Sequence, residues 1–378
     1  MTSRHLRLCG LVLVALSGGA VFAQQGPLRQ FPRSVLLETT SETSANVSMG
    51  DLDGDGDLDL VLAKGRHWPL VDRVLINSGR GEFTSSDLAP DADRTYSAVL
   101  ADLDGNKTLD LVVSNDRPDE KRVYFNDGTG KFRVAGTWGS PAWTTRNAAV
   151  ADLNGDKRPD IIAANRGGQS QVCLNDGAGR FDHAPCIPIA AESATTIVPG
   201  DFDGDGAIDL AVPHRDGGQS RIFFNDGRAG FARVAAFGPS VTNARAAAAG
   251  DFNGDGRLDL VVGDERTGTR LYLNDGRGGL IAGVALGSPK DAVGAIAVGD
   301  MNNDGHADLV VGLAGGPGAV WFNSGDGRQF TSVPFGDGKG AVYGLALGDL
   351  NNDGFRDIAS ARSDAPNEVF FSMPATRR

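Results

Sequence analysis

The chain has 378 residues and a formal charge of −12, and 53 of its residues are glycine, about one in seven. Apolar residues make up 40% and charged residues 22%, which excludes a disordered polyanion, and glycine without a period of three excludes collagen. The acidic balance argues against a nucleic-acid partner, because phosphate neutralisation needs a basic face.

The N-terminus reads as a secretory leader. Arg4 and Arg7 form a basic start, an apolar run follows from Leu8 to Leu16, and Val21-Phe22-Ala23 has the small residues of a cleavage site. The run is too short for a membrane anchor, and no later stretch is long enough to span a bilayer. The expected organisation is a signal peptide at 1–23, a linker at 24–30 and one repeat domain at 31–378. Cleavage after Ala23 would leave a secreted or periplasmic chain with a charge of −14. Cys173 and Cys186 then remain. In an oxidising compartment they suggest a disulfide, the alternative being two separate thiols. They flank a turn without standing directly opposite, so bonding requires one strand to bend.

An aspartate-rich nine-residue segment begins at Asp51, Asp102, Asp152, Asp201, Asp251, Asp300 and Asp349, a period near fifty residues that marks an array, a solenoid or a propeller. Each repeat has the same order. A small-residue strand such as Arg245–Ala249 leads into the acidic segment, and a short apolar strand such as 258–262 follows. A polar loop and a third strand such as Arg270–Leu273 come next. A turn of the type Asn126-Asp127-Gly128 then leads to a fourth strand, expected to open at Phe83, Phe132, Phe181, Phe231, Leu280 or Phe330. Asn and Gly suit the positive φ of such turns.

Four short strands per repeat make one antiparallel blade, and small residues on the first strand suit the crowded axis of a ring. The seventh repeat stops after three strands, near Phe371, while the chain opens with an unpaired strand at Phe31–Leu37. The expected fold is therefore all-β: a seven-bladed β-propeller of four-stranded antiparallel blades, its last blade closed by the N-terminal strand. Closure removes an exposed sheet edge.

Each acidic segment places Asp or Asn at positions 1, 3 and 5 and Asp at position 9. The candidate ligands are Asp51, Asp53, Asp55 and Asp59 in the first loop, and Asp102, Asp104, Asn106 and Asp110 in the second. The third has Asp152, Asn154, Asp156 and Asp160; the fourth has Asp201, Asp203, Asp205 and Asp209. The fifth has Asp251, Asn253, Asp255 and Asp259, the sixth Asp300, Asn302, Asp304 and Asp308, and the seventh Asp349, Asn351, Asp353 and Asp357. Oxygen-only donors suit Ca²⁺, while zinc would call for His or Cys. No Glu stands at position 12, so these are not EF-hands. Lys107 and Lys157 replace glycine at position 6, which makes the second and third loops the weakest sites. The alternative is an acidic Asx turn without metal. The loops hold 24 Asp, half of the 48 acidic residues, so seven Ca²⁺ ions would offset a mature charge of −14.

These segments, followed by N-[DS]-G-x-G-x-F turns, resemble the FG-GAP/VCBS repeats of integrin α-subunits and of many secreted bacterial proteins. The resemblance spans nearly all of 31–378. It implies a seven-bladed propeller with calcium in the loops at positions 1, 3, 5 and 9. It further implies that the loops share one face and that ligands bind the opposite face or the rim.

That opposite face carries a recurring arginine: Arg66, Arg117, Arg166, Arg215, Arg266 and Arg362. Arg94, Arg146 and Arg245 enter it from the preceding loops, and His67, Trp68, Tyr96, Trp143 and His214 stand beside them. A basic, aromatic-dotted face suits anionic or polar saccharides or acidic protein segments. The competing reading gives the arginines a purely structural role between blades. No G-x-S-x-G elbow, H-E-x-x-H or phosphate loop is present. The expectation is a non-catalytic, monomeric module that binds a glycan or an extracellular protein. The alternative is a polysaccharide lyase using His67 or His214 as base with nearby arginines.

Overall fold

The computed structural model describes residues 28–375; the expected leader and most of the linker lie outside them. Among the described residues, seven four-stranded antiparallel sheets form a closed ring. Blade 1 consists of Ser44–Gly50, Asp59–Lys64, Arg73–Asn77 and Phe83–Asp87. Blades 2 to 6 repeat that order up to Phe335, and blade 7 has Ala341–Gly348, Asp357–Ser363 and Glu368–Pro374. Its fourth strand is Arg29–Leu36, paired antiparallel to Glu368–Pro374 with Ser34 opposite Phe370. The N-terminal strand thus closes the ring, and it starts two residues before Phe31. Among the described residues no helix is long and apolar enough to cross a membrane.

Six of the seven second strands are buried along their whole length, as in Asp59–Lys64, Asp110–Asn115 and Asp160–Asn165, and in Asp308–Leu313 only the last residue is half-buried. A strand packed on both faces reads as a continuous apolar run, not an alternation. The reason is that the apolar cores lie between blades. One joins Leu52, Val61 and Val74 of blade 1 to Ala98, Leu111 and Tyr124 of blade 2. Another joins Leu350, Val369 and Phe371 of blade 7 to Val47, Leu60 and Leu75 of blade 1. Each fully buried Leu or Val stabilises the fold by about 1.5–3 kcal/mol. No blade can fold its core alone, which makes ring closure part of core formation.

Two fourth strands start later than expected. They run Ile187–Glu192 and Arg233–Phe237, not from Phe181 and Phe231. Phe181 is buried instead in the core between blades 2 and 3. In blade 3 the extra chain before the strand ends at Cys186, whose sulfur is bonded to Cys173. The pairing that follows is irregular, with Val172 opposite Ile187 and a register shift between Gln169 and Gln171.

Candidate functional site

The acidic loops occupy one face. In all seven, the position-1 aspartate accepts the backbone N–H of position 6, from Gly56, Lys107, Lys157, Gly206, Gly256, Gly305 or Gly354. The position-5 side chain accepts the N–H of position 7, as Asp55 does from Asp57 at 2.9 Å. These bonds curl the loop so that its carboxylates converge. Asp51, Asp53 and Asp59 present oxygens within 4.8 Å of one another, and so do Asp102, Asp104, Asp110 and Asp201, Asp203, Asp209. The remaining loops have Asn at position 3, which replaces one carboxylate with an amide oxygen. The tight curl demands positive φ at fixed positions. Lys107 (φ 73°), Lys157 (φ 68°), Asn303 (φ 57°) and Asn352 (φ 59°) adopt it where other loops have glycine.

The position-9 aspartates are fully buried. Each accepts two backbone N–H groups: Asp59 takes those of Leu52 and Asn77, both at 2.8 Å. Burial pushes the Asp59 and Asp160 carboxyls up to about 6, and Asp308 and Asp357 up to about 7. The backbone donors oppose the rise, while neighbouring loop carboxylates add to it. A dehydrated carboxylate among other carboxylates needs a cation, and the donors are all hard oxygens, so the residues fit a hard divalent ion. In two loops an arginine also leans on a candidate ligand: Arg233 on Asp203 and Arg257 on Asp255.

The turn asparagines have a further role that the sequence concealed. Asn126 Nδ2 donates to Leu52 O of the preceding blade at 2.8 Å, and its Oδ1 accepts the Gly128 N–H. Asn77, Asn175, Asn225, Asn274 and Asn323 repeat the bond to position 2 of the previous acidic loop, at 2.7–2.9 Å. Each loop is thereby latched to the next blade. Blade 7 has Ser372 at this place, and Arg356 instead donates to Asp300 O at 2.8 Å.

The opposite face opens at the axis into a cavity of about 220 Å³ lined from all seven blades. Of the residues expected there, Arg66, His67, Tyr96, Arg166 and Arg215 converge on it, joined by Arg146 and Arg245. Tyr343 also lines it and escaped the sequence reading. Arg66 stacks over the Tyr343 ring at 3.7 Å, and Arg146 over Tyr96 at 4.3 Å. Arg166 pairs with Asp216 at 2.7 Å, Arg215 and Arg245 share Glu265, and Arg146 lies 2.7 Å from Asp116. The Tyr96 hydroxyl hydrogen-bonds the His67 ring at 3.0 Å. Burial, then the charges of Arg66 and Arg146, hold His67 below the usual histidine value.

The other expected residues lie elsewhere. Arg362 is buried in ion pairs with Glu368 and Asp337. His214 Nδ1 accepts the Gly218 N–H at 3.0 Å, a loop-shaping bond. Arg94 clamps Asp119. Arg117 borders a shallow groove with Pro141, and Arg266 is exposed. Trp143 is half-buried against the core between blades 2 and 3, while Trp68 is 69% exposed and outside the cavity.

Fold and loops together define a seven-bladed propeller carrying a repeated acidic loop. The family model described as FG-GAP-like repeat matches residues 51–113, 104–163, 152–212, 201–262 and 251–311. The chain belongs to the FG-GAP repeat family. No curated protein matches it. Among solved structures, it is similar to the crystal structure of BBS1N in complex with ARL6DN soaked with mercury. That match has a TM-score of 0.61 at 13% identity and covers 93% of this chain and 98% of that one. The form soaked with lead gives a TM-score of 0.62 at 13% identity, covering 93% and 99%. At this identity the likeness establishes the shared fold.

Proposed function

We propose that this chain is a secreted, calcium-stabilised propeller acting as a non-catalytic binding module for a glycan or an extracellular protein. The observation that carries the reading is the separation of charge. Carboxylate loops crowd one face, and five arginines converge on the axial mouth of the other. Calcium in the loops at positions 1, 3, 5 and 9 would hold the blade edges and leave the opposite face for a partner. The BBS1N structure, with the same fold, holds a protein partner, ARL6DN. The N-terminal leader supports export, where calcium is plentiful.

A glycan array probed in calcium and again in EDTA tests the reading. Calcium-dependent saccharide binding supports the glycan form. A blank array, followed by capture of a protein from secretion extracts, supports the protein form. Absence of either on folded, calcium-loaded protein overturns the binding module. One observation favours a second reading, a polysaccharide lyase: the Tyr96 hydroxyl meets the His67 ring at 3.0 Å on the wall of an arginine-lined cavity. Release of unsaturated sugars from a polyuronate, seen by ultraviolet absorbance, would establish it, and none would dismiss it.

A further inference from the structure

We propose that the axial cavity is a carboxylate-recognition site for a single uronate unit of an anionic saccharide. The inference rests on the binding-module reading and names its ligand class and seat.

Charge is the first argument. Arg66, Arg146, Arg166, Arg215 and Arg245 bring five positive charges to one cavity. The carboxylates paired with them are Asp116, Asp216 and Glu265. Two positive charges therefore remain uncompensated. Arg66 has no carboxylate partner among the described residues; its guanidinium rests on the Tyr343 ring. The local field agrees. Burial alone would raise the Tyr343 phenol, yet the hydrogen bond and charge of Arg66, with Arg245, bring it below its usual value.

An unmet donor is the second. The Arg215 side chain is only 7% exposed, and its Nε has no hydrogen-bond partner. Arg146 Nη1, by contrast, is held by Asp116 Oδ2 at 2.7 Å. Buried donors are normally satisfied, and this unmet one belongs to a side chain that lines the cavity. The two coplanar oxygens of a carboxylate match a guanidinium fork, as two oxygens of a phosphate also do.

Size and lining select the rest of the ligand. The cavity of about 220 Å³ has space for several waters at about 30 Å³ each, and so for one sugar ring. An aspartate or glutamate side chain would leave most of it unfilled. Asn46, Asn147, Thr195 and Thr196 add amide and hydroxyl groups among the arginines, and these match sugar hydroxyls. A glutamate oligomer has no hydroxyls and meets them only through its backbone amides.

The test is calorimetric titration of the full, calcium-loaded protein with galacturonate and glucuronate. Galactose, glucose, acetate, inorganic phosphate and a glutamate oligomer are the comparators. Saturable uronate binding is expected, with the neutral hexoses at least about tenfold weaker. Arg66→Gln should weaken uronate binding about tenfold, while Arg266→Gln, outside the cavity, should leave it unchanged. A thermal melt confirms that each variant is folded. Equal affinity for galactose and galacturonate overturns the proposal. So does equal or tighter binding of acetate, phosphate or the glutamate oligomer, or an unaffected Arg66→Gln protein. No uronate binding, with another partner recovered from the array or the extract, overturns this inference and leaves the binding module standing.

Discussion

On one face of the ring, seven loops repeat the same pattern of Asp and Asn oxygens on the same backbone donors. On the other, the loops after the second strands run from three residues, at Glu265–Thr267, to eight, at Gly65–Asp72. The acidic loop closes on itself: Asp51 bonds Gly56 and Asp59 bonds Leu52, all within nine residues. The arginine mouth is closed by convergence: Arg66 of blade 1 meets Tyr343 of blade 7, and Arg166 of blade 3 meets Asp216 of blade 4. Local chemistry gives a repeated, stabilising face, and convergence of unlike residues gives a single site. A ring can therefore keep its scaffold constant while one mouth varies.

The sharpest break in this comparison is chelation. Taking each calcium site at ~0.4–1.4 kcal/mol near 1 mM calcium, seven would contribute ~3–10 kcal/mol. EDTA should lower the melting temperature on the order of 10 °C, and calcium should restore it. An unchanged melt would detach the acidic face from stability. Next comes the blade-3 disulfide, which closes a loop of sequence separation 13. Replacing Cys173 and Cys186 by serine should cost about 3 kcal/mol in urea unfolding. The change lies away from the axial cavity, so ligand binding should be unchanged.

The inter-blade latch is tested by Asn126→Ala. It removes one of the two donors to the Leu52 carbonyl, which keeps the Gly130 N–H at 2.9 Å, and strands the Gly128 N–H, so it should cost about 1–2 kcal/mol. A cost below about 0.5 kcal/mol would make the asparagine a mere turn former. Lys157→Gly removes a side chain from a residue at φ 68° and a cation from beside the site. It should stabilise the chain by about 1 kcal/mol and tighten calcium binding in loop 3. Calorimetric titration of both proteins would show the opposite if the lysine assists the ion.

The smallest effect belongs to the cationic face. Asp216 is held down to about 2, first by its hydrogen bond to Arg166. A lowered carboxylate contributes stability above its unfolded value near 3.9 and loses it as pH falls through the folded value. Both partners are more than a third exposed, so screening limits the contribution to under about 1 kcal/mol. Asp216→Asn should therefore flatten only the stability profile between about pH 4 and pH 2. A large loss at neutral pH would mean that the arginine mouth also carries the fold.

Much of this was legible in the sequence because it is local and repeated. The Asp spacing placed the loops, and the missing fourth strand after Phe371 identified Phe31–Leu37 as its replacement. The latch was hidden because the same asparagines satisfy a simpler turn rule. Phe181 and Phe231 misled because a phenylalanine after a glycine turn can fill the inter-blade core before the strand begins. Arg362 and His214 stand one residue short of the repeat position that brings Arg166 and Arg215 to the cavity, and they are spent on Glu368, Asp337 and the Gly218 N–H. Tyr343 stands six residues before Asp349, the place that Tyr96 takes before Asp102 and Arg146 before Asp152, so a repeat signal was present and was overlooked.

The most direct measurement of the central claim is the number of calcium ions bound per chain, by native mass spectrometry of protein equilibrated in millimolar calcium. The account predicts about five to seven ions, removed by EDTA, with the loops at Asp102 and Asp152 the first to empty. A chain that binds none, or binds them without any change in thermal stability, would contradict it.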